Sequence, residues 1–365
     1  MGPPRHLALV GETSARHIAW PVPFADGVAK LLALRGQRVV VLASGDPFWF
    51  GAGAVLARHL EASDWVAYPG VSIFSLVASR MGWALEKTIC LGLHAAPLSR
   101  MRAHLTAGAR LIVLVRGGAA VAEVADYLAE LGFGTSGLTV WEAVGGPNEV
   151  RTGFSAGAMP ARTFSHPVCM AIECAGNAAT IPKSNGIPDE FFDSDGTMTK
   201  RPVRALTLSA LAPRPGEYLW DIGGGSGSIA IEWLLSDPTT QATAIEIRAD
   251  RAQVIRANAV ALGMDRLSVV EGDAPGALTD LPIPDAVFIG GGLSETLLEH
   301  LHTTLPAGTR IVANGVTLEA EALLAAWHTK TGGELMRIEI ANAAPLGRKR
   351  GWRAAFPIVQ WNVTL

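Results

Sequence analysis

Three acidic side chains stand at the ends of three successive predicted strands in the second half of the sequence. Asp221 closes one short apolar run, Glu246 closes the next, and Asp273 follows a third. The carboxyl ends of parallel strands meet at one edge of a sheet, so the three carboxylates are expected to converge on one ligand. Such acids accept hydrogen bonds from ribose hydroxyls and attract an ammonium or amino group. The pattern therefore predicts a nucleotide-type binding site.

A glycine-rich turn follows Asp221. Gly223, Gly225 and Gly227 precede a helix that is predicted to begin at Ser228. Glycine permits positive φ and lets the backbone approach a ligand, and the first amides of the next helix then face that ligand.

This turn has more than one interpretation. Residues 225–230 satisfy the G-x-G-x-x-A pattern of dinucleotide-binding proteins, which favours an NAD-linked oxidoreductase. The acid at Asp221 is unfavourable beside a pyrophosphate, however, and suits a cationic ammonium group. A structural alternative is that each of the three acids merely caps a helix.

The spacing Asp221-x-Gly223-x-Gly225-x-Gly227 resembles motif I of class I S-adenosylmethionine (SAM) methyltransferases. This resemblance implies SAM as the cofactor and a Rossmann-like sheet that ends in two strands with no helix between them. A final antiparallel pair is accordingly expected over residues 352–363. The implied cofactor-binding residues of this half are Asp221, Gly223, Gly225, Gly227, Glu246, Asp273, Ala274 and Gly290.

Composition excludes several classes of protein. The formal net charge of −3 argues against a general nucleic-acid binder, which needs a basic face. No apolar run approaches the length of a membrane span, and the first residues do not resemble a signal peptide. The three cysteines form no C-x-x-C pattern, which fits a reducing compartment. A soluble cytoplasmic enzyme is expected, with no membrane or nucleic-acid partner.

No metal site is predicted. His94, His104, His166 and the other histidines show no metal-ligand spacing, so structural roles are expected for them.

The first half alternates apolar strands with helices. Residues 38–43 form a β-branched run typical of a fully buried parallel strand, and this run leads into Ser44-Gly45-Asp46. A second predicted strand, over residues 65–68, leads into a turn that ends at Ser72. Ser72 is expected to cap a helix that extends to Met81.

The order Ser44-Gly45-Asp46-Pro47-x-x-x-Gly51, followed by Pro69-Gly70-x-Ser72, is similar to the tetrapyrrole methylase family. The resemblance implies an α/β domain with a second SAM site; ordinary strand-to-helix turns are the alternative. In that family a strand and a glycine-rich loop precede a segment like residues 5–9, so this domain is expected to be truncated at its start. The implied cofactor residues are Ser44, Gly45, Asp46, Trp49, Ser72 and Ile73.

The expected domain organisation has three parts. A tetrapyrrole methylase domain occupies residues 1–173 and a class I methyltransferase domain occupies residues 189–365. Between them, residues 174–188 are small, polar and broken by prolines, which is typical of a linker.

The turn at Gly290-Gly291-Gly292 limits which methyl acceptors fit the site. It follows the fourth strand and leaves room without supplying a side chain, so a bulky acceptor that brings its own nucleophile fits best. Carbon methylation of an electron-rich macrocycle needs little more than alignment and exclusion of water.

Residues 186–189, 198–200, 220–223 and 313–319 together resemble the bifunctional corrin-pathway methyltransferases that also decarboxylate their substrate. The resemblance implies a precorrin substrate, with C-5 methylated by the first domain. The second domain would methylate C-15 and remove carbon dioxide from the C-12 acetate arm. The ring is its own electron sink, so no further cofactor is implied. Separately, a homo-oligomer is expected.

Several residues are candidates for this chemistry. Thr199, Lys200, Asn314 and Glu319 are predicted to orient the ring or to move protons, although each also suits a cap or a turn. The predicted partners of the substrate carboxylates are Lys200, Arg201, Arg348, Lys349, Arg350 and Arg353. Two alternatives stay open: a different large acceptor, and a first domain that serves only for docking.

Overall fold

The computed structural model describes all 365 residues, which divide into two compact units. The first unit comprises Met1–Ala96 and Ala107–Ala178. The second comprises Pro97–Thr106 and Ala179–Leu365, so it includes a short segment from the first half of the sequence. No helix of the chain has both the length and the apolar character that a membrane crossing requires.

The first unit is built on a five-stranded sheet with the order β1-β2-β5-β3-β4, in which only β1 and β2 are parallel. Its strands are β1 (Ile89–Gly92), β2 (Arg110–Leu114), β3 (Gly137–Glu142), β4 (Val150–Ser155) and β5 (Val168–Glu173). Its helices are α1 (Pro4–Leu7), α2 (Phe24–Leu32), α3 (Ala52–Leu56), α4 (Ile73–Met81) and α5 (Ala120–Glu130). Phe74 and Val77 of α4 pack on Ile112 of β2 in one core cluster.

The expected buried strand over residues 38–43 is wrong. The run forms no strand, and Val40 is 67% exposed. Its backbone bonds go to Met1, with the Leu42 N–H donating to the Met1 carbonyl and the Met1 amine donating to the Val40 carbonyl. Residues 65–68 likewise form no strand. Apolar composition alone does not bury a strand, because a partner strand and a covering helix are also required.

The second unit contains a seven-stranded sheet with the order β8-β7-β6-β9-β10-β14-β11, covered by helices, and a separate two-stranded hairpin, β12–β13. Its strands are β6 (Tyr218–Ile222), β7 (Gln241–Glu246), β8 (Ser268–Glu271), β9 (Ala286–Ile289), β10 (Arg310–Gly315), β11 (Glu334–Ile338), β12 (Ala341–Leu346), β13 (Lys349–Ala354) and β14 (Ile358–Thr364). Its helices are α6 (Arg201–Leu211), α7 (Ser228–Ser236), α8 (Ala249–Ala261), α9 (Glu295–Thr304) and α10 (Leu318–Thr331). Strands β6 to β10 are parallel and β14 is antiparallel to its two neighbours, which confirms the expected Rossmann-like class.

The end of the chain differs from the expected edge pair over residues 352–363. Strand β14 lies inside the sheet, where Gln360 and Trp361 are buried, and β11 occupies the edge. Strands β12 and β13 form a separate two-stranded hairpin. The mixed polar and apolar pattern of β11 suits an edge, whereas the apolar residues of β14 suit a position between two strands.

The hairpin β12–β13 leaves the sheet at the carboxyl end of the parallel strands. Ile338, the last residue of β11, pairs with Ile358, the first of β14. Gly315, the last residue of β10, pairs with Val359. The hairpin and the turn that follows β6 therefore lie at the same end of the strands.

The expected linker is also largely wrong. Ile181 and Ile187 are buried in the core of the second unit, and the Gly186 N–H donates to the Glu232 carboxylate at 2.6 Å. Glycines and prolines indicated an irregular segment, but the two buried isoleucines attach it to the core of the second unit.

A buried ion pair joins helices α6 and α7, which follow this segment. Arg204 of α6 donates from Nε to Oε1 of Glu232 in α7 at 2.5 Å, and both side chains are almost fully buried. Arg204 also donates to the carbonyls of Ile187 and Thr199 and to the Asp189 carboxylate. Burial raises the pKa of Glu232, while Arg204 and the backbone N–H groups lower it.

We predict that Arg204→Met lowers the free energy of unfolding by about 3–5 kcal/mol, because it leaves the Glu232 charge buried without its partner. Urea unfolding of the full chain measures this. The matched control is Arg337→Met, which removes an exposed arginine paired with Glu321 and Glu339 and is expected to cost below about 1 kcal/mol. Equal effects of the two substitutions would contradict the prediction.

Candidate functional site

A cavity of about 370 Å³ opens at the carboxyl ends of the parallel strands in the second unit's sheet. It lies where the chain leaves β6, β7, β8 and β9, which is the switch point at which such sheets bind ligands. Its walls include these predicted site residues: Thr199, Gly223, Gly225, Glu246, Asp273, Ala274 and Gly290.

The turn after β6 requires glycine at Gly223. This residue has a φ of +72°, and an added Cβ would lie 2.5 Å from the Gly291 backbone nitrogen. The floor of the cavity is therefore backbone without side chains, which lets an extended ligand lie directly on it. Gly227 instead caps α7 and packs against Ile255, so it does not line the cavity.

Glu246 is held in a fixed orientation at the end of β7. The Gly225 N–H donates to one carboxylate oxygen at 2.9 Å, and the Arg248 N–H donates to the other at 3.0 Å. Each oxygen retains a further lone pair. Because Glu246 lines the cavity, this carboxylate can accept from two neighbouring hydroxyls, as the ribose of SAM requires.

Asp221 stands at the end of β6 but does not reach the cavity. It is 1% exposed and does not line the cavity, so its carboxylate is not placed for direct contact with a ligand ammonium. One carboxylate oxygen accepts from the Ala230 N–H at 3.1 Å, and the other has no partner. Burial raises the pKa of Asp221 to about 7, although the Ala230 N–H opposes this and Glu246 adds to it. The helix-capping alternative therefore describes this acid, because its side chain is turned towards α7.

Asp273 and Ala274 stand in the cavity wall after β8. The Asp273 side chain is exposed, in contrast to Asp221 and Glu246. It is thus free to accept from an amino group, as the adenine of SAM would offer.

The four predicted catalytic residues are not brought together. Thr199 lines the cavity, and Lys200 lies exposed at the N-cap of α6, with Nζ donating to the Gly196 carbonyl. Asn314 faces away from the cavity lining: its Nδ2 donates to Thr207 at 2.9 Å, and its Oδ1 accepts from Gln360 at 2.9 Å.

Glu319 is exposed in the first turn of α10, and it does not line the cavity. Its own backbone N–H and the Thr317 hydroxyl lower the pKa of its carboxyl. This is the behaviour of an acid at a helix N-terminus, so a catalytic role for Glu319 is not supported.

Sequence reasoning missed two arginines of the cavity wall, Arg248 and Arg251. Arg251 binds the Asp195 carboxylate at 2.6 Å and the Thr197 hydroxyl at 2.8 Å. Thr197 and the buried Met198 also line the cavity. The partners of Arg251 lie more than fifty positions away in the sequence, and no local pattern signals such a contact.

The predicted carboxylate-binding cations are all exposed, and none of them enters an ion pair with this chain's own acids. Lys200 and Arg201 begin α6, next to Thr199 in the cavity wall. The remaining four lie on the β12–β13 hairpin or its turn: Arg348, Lys349, Arg350 and Arg353.

The first unit brings its predicted cofactor residues into contact. Gly45 has a φ of +55°, and an added Cβ would lie 3.1 Å from the Val71 carbonyl and 3.4 Å from the Ser72 Cα. The Ser72 hydroxyl accepts from the Ser75 N–H, which confirms the expected cap of α4. The two turns of this unit therefore form one surface.

The flanking residues of these turns are ordered by local contacts. Asp46 accepts from the Phe48 N–H at 2.8 Å within its own turn. Trp49 packs on Phe74, the residue after Ile73, with ring centroids 4.9 Å apart. Ser44 precedes the first turn and is exposed.

No group of three or more histidine, cysteine, aspartate or glutamate side chains is arranged to hold a metal ion.

The sheet order, the glycine turn and the acid at the end of β7 define the second unit as a class I SAM-dependent methyltransferase. Residues 190–365 match the family model of the precorrin methyltransferase domain, and residues 25–157 match that of tetrapyrrole (corrin/porphyrin) methylases. A curated relative from Sinorhizobium sp., precorrin-6Y C(5,15)-methyltransferase [decarboxylating], is 49% identical over 366 residues, which cover 99% of this chain and 88% of the relative. This chain belongs to the precorrin-6Y C(5,15)-methyltransferase (decarboxylating) family, which removes the NAD-linked alternative.

Two shorter matches correspond to about half of the chain. A probable cobalt-precorrin-6B C(15)-methyltransferase (decarboxylating) from Pyrobaculum calidifontis is 34% identical over 181 residues, which cover 47% of this chain and 92% of the relative. The crystal structure of the C-terminal domain of precorrin-6Y C5,15-methyltransferase from Rhodobacter capsulatus is 53% identical. The match covers 51% of this chain and 100% of the Rhodobacter capsulatus chain, with a TM-score of 0.49.

We predict that Glu246→Gln weakens SAM binding by about 10- to 100-fold, because a side-chain amide cannot accept from both ribose hydroxyls and two backbone N–H groups. Isothermal titration of the full chain measures this change. The matched control is Glu271→Gln, at the end of the adjacent strand β8, whose exposed side chain pairs with Arg256. A similar loss in the control would contradict the assigned role.

We predict that Asp221→Asn raises stability relative to the unsubstituted chain more at alkaline than at acidic pH. The folded-state pKa of Asp221 is raised to about 7, so the unsubstituted chain loses stability as pH rises from about 4 to about 7. The asparagine variant lacks this loss, which gives a relative gain on the order of 2–4 kcal/mol. Urea unfolding at about pH 5 and about pH 8 measures it. The exposed Asp280→Asn is the control, and a gain independent of pH would contradict the assignment.

Proposed function

We propose that this chain methylates a precorrin at C-5 and C-15 with SAM and removes carbon dioxide from the C-12 acetate arm, giving precorrin-8X. The observation that carries the proposal is the presence of two cofactor-type turns, at Gly45 and at Gly223, one on each unit. The relative that covers 99% of this chain carries both methylations and the decarboxylation in its name.

The second unit is assigned C-15 methylation and decarboxylation. The Pyrobaculum calidifontis relative covers 47% of this chain, and its name carries these two activities without C-5 methylation. Its aligned length suits one unit rather than two. C-5 methylation then falls to the first unit, whose family model is that of tetrapyrrole methylases.

SAM, when bound, supplies an electrophilic methyl group on a sulfonium centre. Glu246 and the turn at Gly223 are the groups that would hold this cofactor, and Asp273 would accept from its adenine amino group. Gly290, Gly291 and Gly292 leave the acceptor side of the cavity free of side chains, so that a flat macrocycle can approach. The ring carbon is itself the nucleophile, so the protein's contribution is alignment and exclusion of water.

Decarboxylation requires a different contribution from the protein. The bond from the arm's methylene to its carboxylate breaks, the electron pair enters the conjugated ring, and a proton ends on the remaining carbon. A cation paired with the departing carboxylate would stabilise the ground state and slow this step. We propose that the Thr199 hydroxyl, in the cavity wall, and the ammonium of the adjacent Lys200 transfer the proton.

The other substrate carboxylates need cations, and we propose that exposed basic residues of the second unit supply them. Arg201 stands exposed at the start of α6, and four basic residues stand on the hairpin that leaves the sheet at the carboxyl end of the parallel strands. Because none of them pairs with an acid of this chain, each remains available to a carboxylate arm.

We also propose that the chain self-associates. The hairpin exposes Leu346 and Trp352, and Phe356 beyond it is 82% exposed. A second copy is the proposed cover for this apolar surface. Light scattering that gives the mass of a single chain would contradict this. The free Cys90 and Cys169 suit work in a reducing cytoplasm.

We predict that Gly223→Val abolishes C-15 methylation and spares C-5, whereas Gly45→Val does the reverse. Each valine would place its Cβ against backbone at a positive φ and fill the cofactor turn of one unit only. Mass spectrometry and carbon NMR of products from precorrin-6 and SAM measure the outcome. Each variant serves as the control for the other.

Two outcomes would contradict the assignment. If the unsubstituted chain methylates only C-15, the first unit is a docking module. If neither carbon is methylated, the acceptor is a different large molecule.

A further inference from the structure

A cluster of basic and polar side chains lies beside the first unit's cofactor turn, and its basic members have no assigned role. Arg5 of α1 contacts His166 through Nη1 at 2.8 Å and donates from Nη2 to the Ser44 hydroxyl at 3.3 Å. The same hydroxyl contacts His6 Nε2 at 3.0 Å. Three distant segments of the sequence therefore meet at one point, and all of them belong to the first unit.

The cluster carries a positive charge that no acid compensates. Arg5 enters no ion pair, whereas Arg80 and Arg162 of the same unit bind Glu149 and Glu142 at 2.5 Å. The partners of Arg5 are imidazoles and a hydroxyl, which are neutral acceptors. Burial, and then the charge of Arg5, lower the pKa of both His6 and His166. The guanidinium is thus positioned but not neutralised.

This arrangement has the chemistry of a carboxylate receptor. A guanidinium presents a planar fork that matches two carboxylate oxygens, and an anion would replace the neutral acceptors with a stronger, charge-assisted bond. The single O–H of Ser44 faces His6 here and can turn to donate to such an anion instead. Ser44 directly precedes Gly45, whose backbone contacts Val71 and Ser72, so a carboxylate held here would lie next to the cofactor turn.

We propose that Arg5, His6 and His166 form a carboxylate-binding site that takes an acetate or propionate arm of the acceptor for C-5 methylation. The inference rests on the proposed function of the first unit. The other source of the same chemistry is the α-carboxylate of SAM itself, and the experiment separates the two.

The test compares Arg5→Met with Arg5→Lys in the full chain. Arg5→Met is expected to raise KM for precorrin in C-5 methylation by at least about 10-fold, with a smaller rise in Arg5→Lys, because lysine keeps the charge but loses the fork. The dissociation constant for SAM and the rate of C-15 methylation stay within about twofold, so the second unit is an internal control for folding. Arg58→Met, which removes an equally exposed arginine of the same unit, is expected to change nothing.

Sodium propionate provides a second readout that is independent of activity. Histidine-selective NMR of the full chain is expected to show a saturable shift of the His6 and His166 resonances, which is lost in Arg5→Met.

Three results would overturn the proposal. An unchanged KM in Arg5→Met would remove the acceptor site, and a loss of SAM affinity with KM unchanged would assign the cluster to the α-carboxylate. Failure of propionate to shift either histidine would remove the anion site altogether. If the unsubstituted chain methylated only C-15 while propionate still bound, the proposed function would fail and the anion site would stand.

Discussion

The cofactor wall of the second unit depends on one buried ion pair, Arg204 with Glu232. Burying two charges costs several kcal/mol for each ion, and mutual attraction offsets this only when the remaining hydrogen-bonding groups are satisfied. Here Glu232 accepts the N–H groups of Gly186 and Ile187, and Arg204 donates to the Ile187 and Thr199 carbonyls. Two irregular segments are thereby fixed to the α6–α7 pair, and one of them lines the cavity. We infer that the pair contributes conformational specificity more than net stability.

The three acids at neighbouring strand ends show how environment divides the roles of one residue type. Asp221 is buried, with a raised pKa, and holds the start of α7. Glu246 is fixed by two backbone N–H groups and faces the cavity. Asp273 is exposed in its wall. Position at a strand end places an acid near the ligand, but only its backbone partners and its burial decide whether it can reach that ligand.

The sequence was sufficient for those parts of the fold that local pattern determines. Strand β7 ends at Glu246 and helix α7 begins at Ser228, as predicted, and β6 ends one residue after Asp221, because buried runs and a glycine turn delimit them. Sequence reasoning failed where tertiary partners decide: residues 38–43 form no strand, and β14 enters the sheet instead of forming an edge pair. Asn314 suited a site by motif, yet Thr207 and Gln360 engage its amide. The site residue Arg251 was missed because its partner Asp195 comes from a distant segment.

The two halves of the sequence do not correspond fully to the two units, and this bears on how the activities are linked in one chain. The second unit includes a short 3-10 helix, Leu98–His104, from the first half. Arg100 binds Asp265 at 2.8 Å, and Arg102 donates to the Ala179 carbonyl and stacks on the Phe191 ring. Cutting the chain before Ala179 would remove all of these contacts from the second unit. Loss of C-15 methylation in such a fragment would then report a missing structural element as much as a missing partner activity. Single glycine substitutions in the intact chain separate these two causes, because they fill one cofactor turn and leave this helix in place.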